Sequence, residues 1–174
     1  KDAKEDLTAE FKKEYTVGRI VGEGAYASVR VATYKPSGKK VAIKVYEKVK
    51  LKEPQRKKSV RREIRILQML NHPNILKIYD VVETNNHLNI IMQYLDGISL
   101  NHYLKNQPNH RAPINHCKTI IRALALALEY LHERQISHRD IKLENVILNE
   151  DLSPTLIDFG FSTCIEKQKK VQLK

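Results

Sequence analysis

Cysteine is scarce in this 174-residue chain. Cys117 and Cys164 lie far apart, with no C-x-x-C and no companion ligands, so neither a metal cluster nor a redox pair is expected. Buried, reduced thiols in a protein of the cytoplasm or the nucleus are the expectation. Long apolar runs are missing too. The longest, Ala123–Leu128, is far too short to cross a bilayer, and the charged start Lys1–Asp6 lacks the form of a signal peptide. No G-x-x-x-x-G-K-[ST] occurs, which removes the P-loop, and no internal repeat or low-complexity segment is visible. Acidic residues are in deficit, 20 against 31 Lys and Arg, for a net charge of +11. The excess gathers in Lys48–Arg65 and Lys167–Lys174, which suits nucleic acid, an anionic membrane surface or an acidic partner. Since no base-stacking aromatics are interleaved, a solvated helix face and a mobile loop are the plainer reading, with no specific nucleic-acid partner.

The length suits one domain, or one lobe and part of another, and 41% apolar residues allow a sizeable core. Residues 1–14 are mostly charged and read as a tail, or a short helix packing by Leu7 and Phe11. From Tyr15 the pattern alternates. Tyr15–Val21, Ala27–Thr33 and Lys40–Tyr46 read as strands, with the turn Lys35–Gly38 between the second and third. Pro54 opens a helix to about Leu70 with Val60, Ile64 and Leu67 on one stripe, and Asn71-His72-Pro73 stops it. Leu76–Glu83 and His87–Tyr94 form a hairpin, giving an α+β unit of five antiparallel strands and one helix. After Asp96-Gly97 the character changes. Leu100–Lys105 is a short helix and Pro113–Arg134 a long one, apolar almost all round in its middle and so expected at the centre of a second unit. Ile147-Leu148 and Thr155–Ile157 are short strands around a turn near Ser153-Pro154.

Four constellations carry chemistry. Asp140, Lys142 and Asn145 sit at spacings of two and five in a loop ahead of the apolar run Val146–Leu148. A carboxylate, an ammonium and an amide that close together can take a hydroxyl proton, neutralise a phosphoryl group and hold a divalent cation. Gly22-Glu23-Gly24 lets backbone amides approach phosphate oxygens, although Ala27 stands where a third glycine would. A strand, Ser28–Ala32, follows these glycines, whereas a dinucleotide fold requires a helix. In Val41-Ala42-Ile43-Lys44 the alternation turns Ala42 and Lys44 to one side, toward the glycine flap. Glu63, nineteen residues on and sharing a helix face with Leu67, can pair with Lys44. Asp158-Phe159-Gly160 follows the strand Leu156-Ile157, and its carboxylate with Asn145 offers oxygen ligands suited to Mg²⁺.

In this order and on these elements the four motifs resemble the eukaryotic protein kinase family, from about Tyr15 to Lys174. Lys142 between Asp140 and Asn145 resembles the serine/threonine type. Tyr46–Pro73 looks like the calmodulin-dependent and AMP-activated group. The resemblance implies a kinase-like α+β fold: a five-stranded antiparallel N-lobe with one helix at 15–95, then the first part of a mainly helical C-lobe at 96–174. It implies ATP and Mg²⁺ as cofactors and a Ser or Thr hydroxyl of a protein as acceptor. Asp140 would orient that hydroxyl and accept its proton, Lys142 would neutralise the moving phosphoryl, and Asn145 and Asp158 would hold metal. Lys44, fixed by Glu63, would position the phosphates under Gly22, Glu23 and Gly24. Val29, Ala42 and Ile147 would sandwich the adenine with Val21 as its roof, the backbones of Gln93 and Leu95 would bind its edge, and Met92 would stand behind it. Leu67, Ile78, Phe159 and His138 would stack as an apolar column, with His138 a packed histidine and not a base.

Two departures matter. Leu143 replaces the proline usual there, and the chain ends sixteen residues after Asp158, inside what the family calls the activation segment. A truncated second lobe is therefore expected, with apolar surface uncovered on Pro113–Arg134. Arg139 would accept a phosphorylated activation-segment residue, yet Cys164–Lys174 contains no Ser, Thr or Tyr. The competing reading is a nucleotide-binding or regulatory module without transfer activity. A basic nucleic-acid binder would explain none of the four motifs, and a small-molecule kinase fits Arg139 and Lys142 less well.

Overall fold

The structure, a computed structural model, describes residues 9–24 and 26–165. Leu7, the basic run Lys167–Lys174 and most of the stretch without hydroxyl side chains lie outside them. The chain forms two compact units, one of residues up to Gln68 with Leu76–Asp96, the other of Met69–Ile75 with Gly97 onward.

In the first unit a short helix α1 (Ala9–Glu14) leads into strands β1 (Tyr15–Glu23), β2 (Ala27–Tyr34) and β3 (Lys39–Glu47). After a 3₁₀ turn at Lys48–Leu51 come helix α2 (Pro54–Met69) and the hairpin β4 (Ile78–Glu83) and β5 (His87–Gln93). The sheet is antiparallel throughout, in the order β1-β2-β3-β5-β4. Alternation along β3 decides which side chains go where. Val41, Ile43 and Val45 pack with Ala32, Ile91 and Phe11 on one face, while Tyr46 and Ile90 meet Val60 and Ile64 of α2 on the other. Ile43 and Ile91 are essentially inaccessible, and full burial of such a side chain contributes about 1.5–3 kcal/mol. Phe11 stacks on Tyr15 with centroids 4.6 Å apart, so α1 closes the outer face of the sheet. Strand β1 slips register between Val17 and Ile20 and again before Gly22, which bends the strand end that carries the glycines.

The second unit holds strand β6 (Ile98–Ser99), helices α3 (Leu100–Lys105) and α4 (Ile114–Glu133), then β7 (Ile136–Ser137), β8 (Val146–Leu148), β9 (Pro154–Leu156) and β10 (Thr163–Cys164). Strands β6, β8 and β9 form one small sheet and β7 pairs with β10. Gly97 is required at its position, because a Cβ there would collide with the Leu148 carbonyl. Helix α4 buries only one stripe, Ile120, Ala127 and Leu131, against β7 and β9. Ile114 and Ile121 on its other flanks are 69% and 64% exposed, so among the described residues the helix is not enclosed all round as its apolar middle led one to expect, although the uncovered apolar surface itself was expected.

Four local readings are corrected. Met69–Ile75 belongs with the second unit, because Asn74 accepts from the Leu156 amide and donates through Nδ2 to the Pro154 carbonyl, and Tyr130 accepts from the Asn71 amide. Pro154 opens β9 instead of lying in the turn, a position where its missing N–H does no harm. Strand β4 starts at Ile78, not Leu76. Neither thiol is buried: Cys117 is partly covered and Cys164 is exposed.

Candidate active site

The ladder of the first unit sets one line of residues in register. Gly22 lies opposite Val29, Val29 opposite Lys44, and Lys44 opposite Ile90. Directly opposed residues point to the same face, so Val29 and Lys44 look the same way, and Ala42 with its partner Met92 joins them. That is the face on which α2 packs. Gly24 donates to the Ala27 carbonyl at 2.8 Å and tightens the turn, leaving Val21, Glu23 and Gly24 exposed and Gly22 partly covered. Ala42 is buried and Leu95 half-buried. The amide of Gln93 is committed to the Lys77 carbonyl at 2.8 Å, so only its own carbonyl could serve a ligand.

Lys44 Nζ meets Glu63 Oε1 at 2.7 Å. The second carboxylate oxygen accepts from the hydroxyl of Tyr46 at 3.0 Å, and Lys44 also stands 5.2 Å from the Tyr46 ring centre. Burial by itself would lower the Lys44 pKa, but the Glu63 charge outweighs it and holds the ammonium above its usual value. Burial and the same charge push the Tyr46 phenol up. The sequence placed Tyr46 on the strand but gave its hydroxyl no role at the site. Its position two residues after Lys44, on the same strand face, was the available signal. The Tyr26 ring, at the tip of the glycine turn, has its centre 4.1 Å from the guanidinium carbon of Arg56 at the start of α2.

In the second unit Asp140, Lys142 and Asn145 form one hydrogen-bonded set. Lys142 Nζ and Asn145 Nδ2 both donate to Asp140 Oδ2, each at 2.8 Å, and Asn145 Nδ2 also reaches the Asp140 carbonyl at 3.0 Å. Oδ1 of Asp140 has no partner among the described residues. The bond from Lys142 holds the Asp140 carboxyl below the usual carboxylate range, and the same bond raises Lys142. Asn145 is buried and turned so that its amide nitrogen is occupied, which leaves its oxygen as the ligand atom. The Ile157 backbone is strapped to the loop from both sides. Its amide donates to the Asn145 carbonyl at 2.9 Å and its carbonyl takes His138 Nε2 at 3.2 Å. Asp158 follows the strapped Ile157 directly and is exposed, with Oδ1 accepting from the Gly160 amide at 3.2 Å.

His138 is 2% exposed and lies edge-on to Phe159 at 4.7 Å. The Asp140 amide donates to its Nδ1, so the proton sits on Nε2 and goes to Ile157. Burial lowers its pKa, and this neutral ring is a packing element. Two residues of the loop region hold left-handed backbone, Arg139 at φ 65° and Asp158 at φ 60°. Such strain costs on the order of 1 kcal/mol each and persists only where surroundings enforce it. Arg139 Nε donates to the Phe161 carbonyl at 2.7 Å, and Ser162, fully buried, donates to the His138 carbonyl. No signal in the sequence marked Ser162. Ile147 lies on β8, half-buried and paired with Thr155 and Ser99.

The order of these parts along the chain coincides with that of a known domain. The model of the protein kinase domain matches residues 15–174. The chain belongs to the protein kinase family. It is 42% identical over 151 residues to a hormonally up-regulated neu tumor-associated kinase homolog of Xenopus laevis, which covers 86% of this chain and 22% of that protein. It is 36% identical over 162 residues to the NUAK family SNF1-like kinase 1 of Homo sapiens, covering 93% and 24% respectively. With these similarities it falls in the serine/threonine, AMP-activated-like group of the family. The chain thus spans less than a quarter of the length of these curated relatives. Protein kinases use ATP with Mg²⁺. Among the described residues no three His, Cys, Asp or Glu side chains cluster as a metal site, and no helix is long and apolar enough to cross a membrane. Mg²⁺ in phosphoryl-transfer sites needs only one or two carboxylates besides substrate phosphates, so the Asn145 oxygen and the Asp158 carboxylate are a fitting donor set.

Proposed function

We propose that this chain carries the catalytic residues of a protein serine/threonine kinase, which transfers the γ-phosphoryl group of ATP to a Ser or Thr hydroxyl of a protein. The observation that carries this reading is the asymmetric use of Asp140, whose Oδ2 is filled by Lys142 and Asn145 while Oδ1 stays open. A carboxylate held ionised with one free oxygen can orient a hydroxyl and receive its proton as the new oxygen–phosphorus bond forms and the bond to the ADP oxygen breaks. Lys142 neutralises charge on the moving group. Lys44, immobilised by Glu63, fixes the nucleotide phosphates that the Gly22–Gly24 amides approach, and Val29, Ala42 and the Gln93 carbonyl of the same unit hold the adenine; the family resemblance assigns Ile147 to the adenine as well. Asn145 and Asp158 would hold Mg²⁺, which supplies neutralisation of phosphate charge when bound. Positioning and fixed charge carry the catalysis. Two free cysteines support a place in the cytoplasm or the nucleus as part of the same proposal.

The test uses the full-length protein. ATP with Mg²⁺ should raise its melting temperature, and Asp140→Asn should keep that shift while lowering phosphate transfer to a Ser/Thr peptide pool by about 100-fold or more. Loss of ATP stabilisation together with turnover would show that Asp140 supports folding or nucleotide binding and not proton transfer.

A further inference from the structure

Phosphoryl transfer makes no use of the end of the five-stranded sheet at which β2 turns into β3. Residues 35–40 are exposed throughout, and a Cβ on Gly38, at φ 69°, would meet nothing within 4 Å, so the turn projects into open space. It is fastened to α1: the Lys35 amide donates to the Glu14 carbonyl at 2.7 Å and Lys35 Nζ to the Lys12 carbonyl at 2.6 Å. Lys12 and Lys13, both exposed, lie in the last turn of that helix. Val41 pairs with Gln93, whose amide donates to the Lys77 carbonyl, so the start of β4 and the end of β5 reach the same end. There Lys39 Nζ stands 5.5 Å from the Tyr79 ring centre and Lys40 Nζ 5.6 Å from that of Tyr94. Tyr79 is 41% exposed. Six lysines thus share this end with three exposed carboxylates, Glu14, Asp80 and Asp96, and none of the six has a carboxylate at ion-pair distance among the described residues.

We propose that this end of the sheet docks on an anionic phospholipid bilayer surface, with the β2–β3 turn among the headgroups. The lysines come from four segments between positions 12 and 77, so charge runs along the chain do not show them and only the sheet gathers them. Three features select the occupant. All six cations are lysine, a compact hydrated charge that needs only a negative field, whereas a site gripping single phosphates or carboxylates in one geometry favours the arginine fork. Drawn from α1, the turn, β3 and the residue before β4, they form an array and not a line. An array matches a surface charged in two dimensions better than it matches a peptide or a single nucleic-acid strand. Tyrosine, with an apolar ring and a polar tip, is a side chain that settles at headgroup level. Lys39 and Lys40 already lie over the Tyr79 and Tyr94 rings, where a nucleic-acid base would have to stack.

The probe is a vesicle of phosphatidylcholine and phosphatidylserine in equal parts, sedimented with the full-length protein. Binding should fall about tenfold or more in Lys39→Gln, Lys40→Gln, and by a similar factor in Lys12→Gln, Lys13→Gln, on a separate element of the same end. It should stay unchanged in Arg61→Gln, Arg65→Gln, an equal charge change on α2. It should weaken steeply as salt rises and be absent on vesicles of phosphatidylcholine alone. Tyr79→Ser should cost a smaller factor that is insensitive to salt. The substituted lysines and arginines are all exposed, and an unchanged melting temperature verifies the fold of each variant. No sedimentation with the anionic vesicles, equal binding to neutral ones, no loss in the lysine pairs, an equal loss in the α2 pair, or tighter binding to single-stranded RNA or polyglutamate of equal charge would each overturn the proposal.

Discussion

Two lysine–carboxylate pairs in this chain have nearly the same length and opposite surroundings. Lys44 meets Glu63 at 2.7 Å with side chains 20% and 5% exposed, and Lys142 meets Asp140 at 2.8 Å with side chains 47% and 22% exposed. In the buried pair both carboxylate oxygens are taken, one by Lys44 and one by Tyr46. In the exposed pair two donors crowd one oxygen and the other is left open. Distance alone therefore does not separate scaffold from chemistry. Burial and the count of satisfied oxygens do. A fully satisfied buried ion pair holds geometry, whereas a half-satisfied exposed one can exchange a partner when a hydroxyl arrives.

The contrast can be broken most directly by removing each lysine. Lys44→Met should lower unfolding free energy by about 2–4 kcal/mol in urea, because Glu63 keeps its charge in a buried site with Tyr46 as its remaining donor. Lys142→Met should leave the urea midpoint unchanged, as exposed pairs hold little stability. Equal losses would remove the distinction between the pairs. The pH dependence sharpens it further. The folded Lys44 pKa is raised, so its stabilisation is complete below the ordinary lysine value and is lost only as pH rises through the folded one. The Lys44→Met penalty should accordingly be the same at about pH 6 and about pH 9, both below the usual lysine pKa near 10.4.

Tyr46→Phe should show a smaller effect, about 1.5 kcal/mol, since it deletes a hydrogen bond to a charged acceptor and leaves the Lys44 contact in place. No loss would mean that Glu63 Oε2 is satisfied otherwise. Smallest of all is the effect of His138. Its folded pKa lies below the unfolded value near 6.5, so the unfolded chain binds the proton more readily and stability falls as pH drops through that value. His138→Gln should flatten the stability profile between about pH 5 and pH 7. An unchanged slope would assign the pH dependence to another group.

Much of this arrangement was legible in the residues. Alternation in Lys40–Tyr46 foretold which side of β3 would carry Lys44, and its pairing with Glu63 is present at hydrogen-bond distance. The proline and the apolar stripe of α2 located that helix to within a residue or so at its C-terminal end. Other features were not legible. The commitment of the Gln93 amide to Lys77 depends on where β4 begins, which strand periodicity does not resolve. The attachment of Met69–Ile75 to β9 arises from one bond of the Asn74 side chain to the Pro154 carbonyl and one of the Leu156 amide to the Asn74 carbonyl, and the backbone groups that complete both, about eighty positions away, carry no sequence mark. Cys164 was expected inside and is outside, because a two-residue strand exposes alternate side chains whatever their polarity.

By itself the sequence determined the kinds of group available, their order and their spacing: Gly22 and Gly24 on a strand end, Lys44 on a strand, Glu63 on a helix, Asp140 to Asn145 in a loop, Asp158 after a strand. Local periodicity and turn chemistry suffice for that, since they act over a few residues. Only the tertiary structure decided how each group is used. It gave Glu63 a second donor in Tyr46, left Oδ1 of Asp140 open, and imposed left-handed backbone on Arg139 and Asp158. The reason is that hydrogen-bond saturation, burial and strain depend on which distant segments are brought into contact. Residue identity sets what a carboxylate can do, and its neighbours in space set which of its oxygens is left to do it.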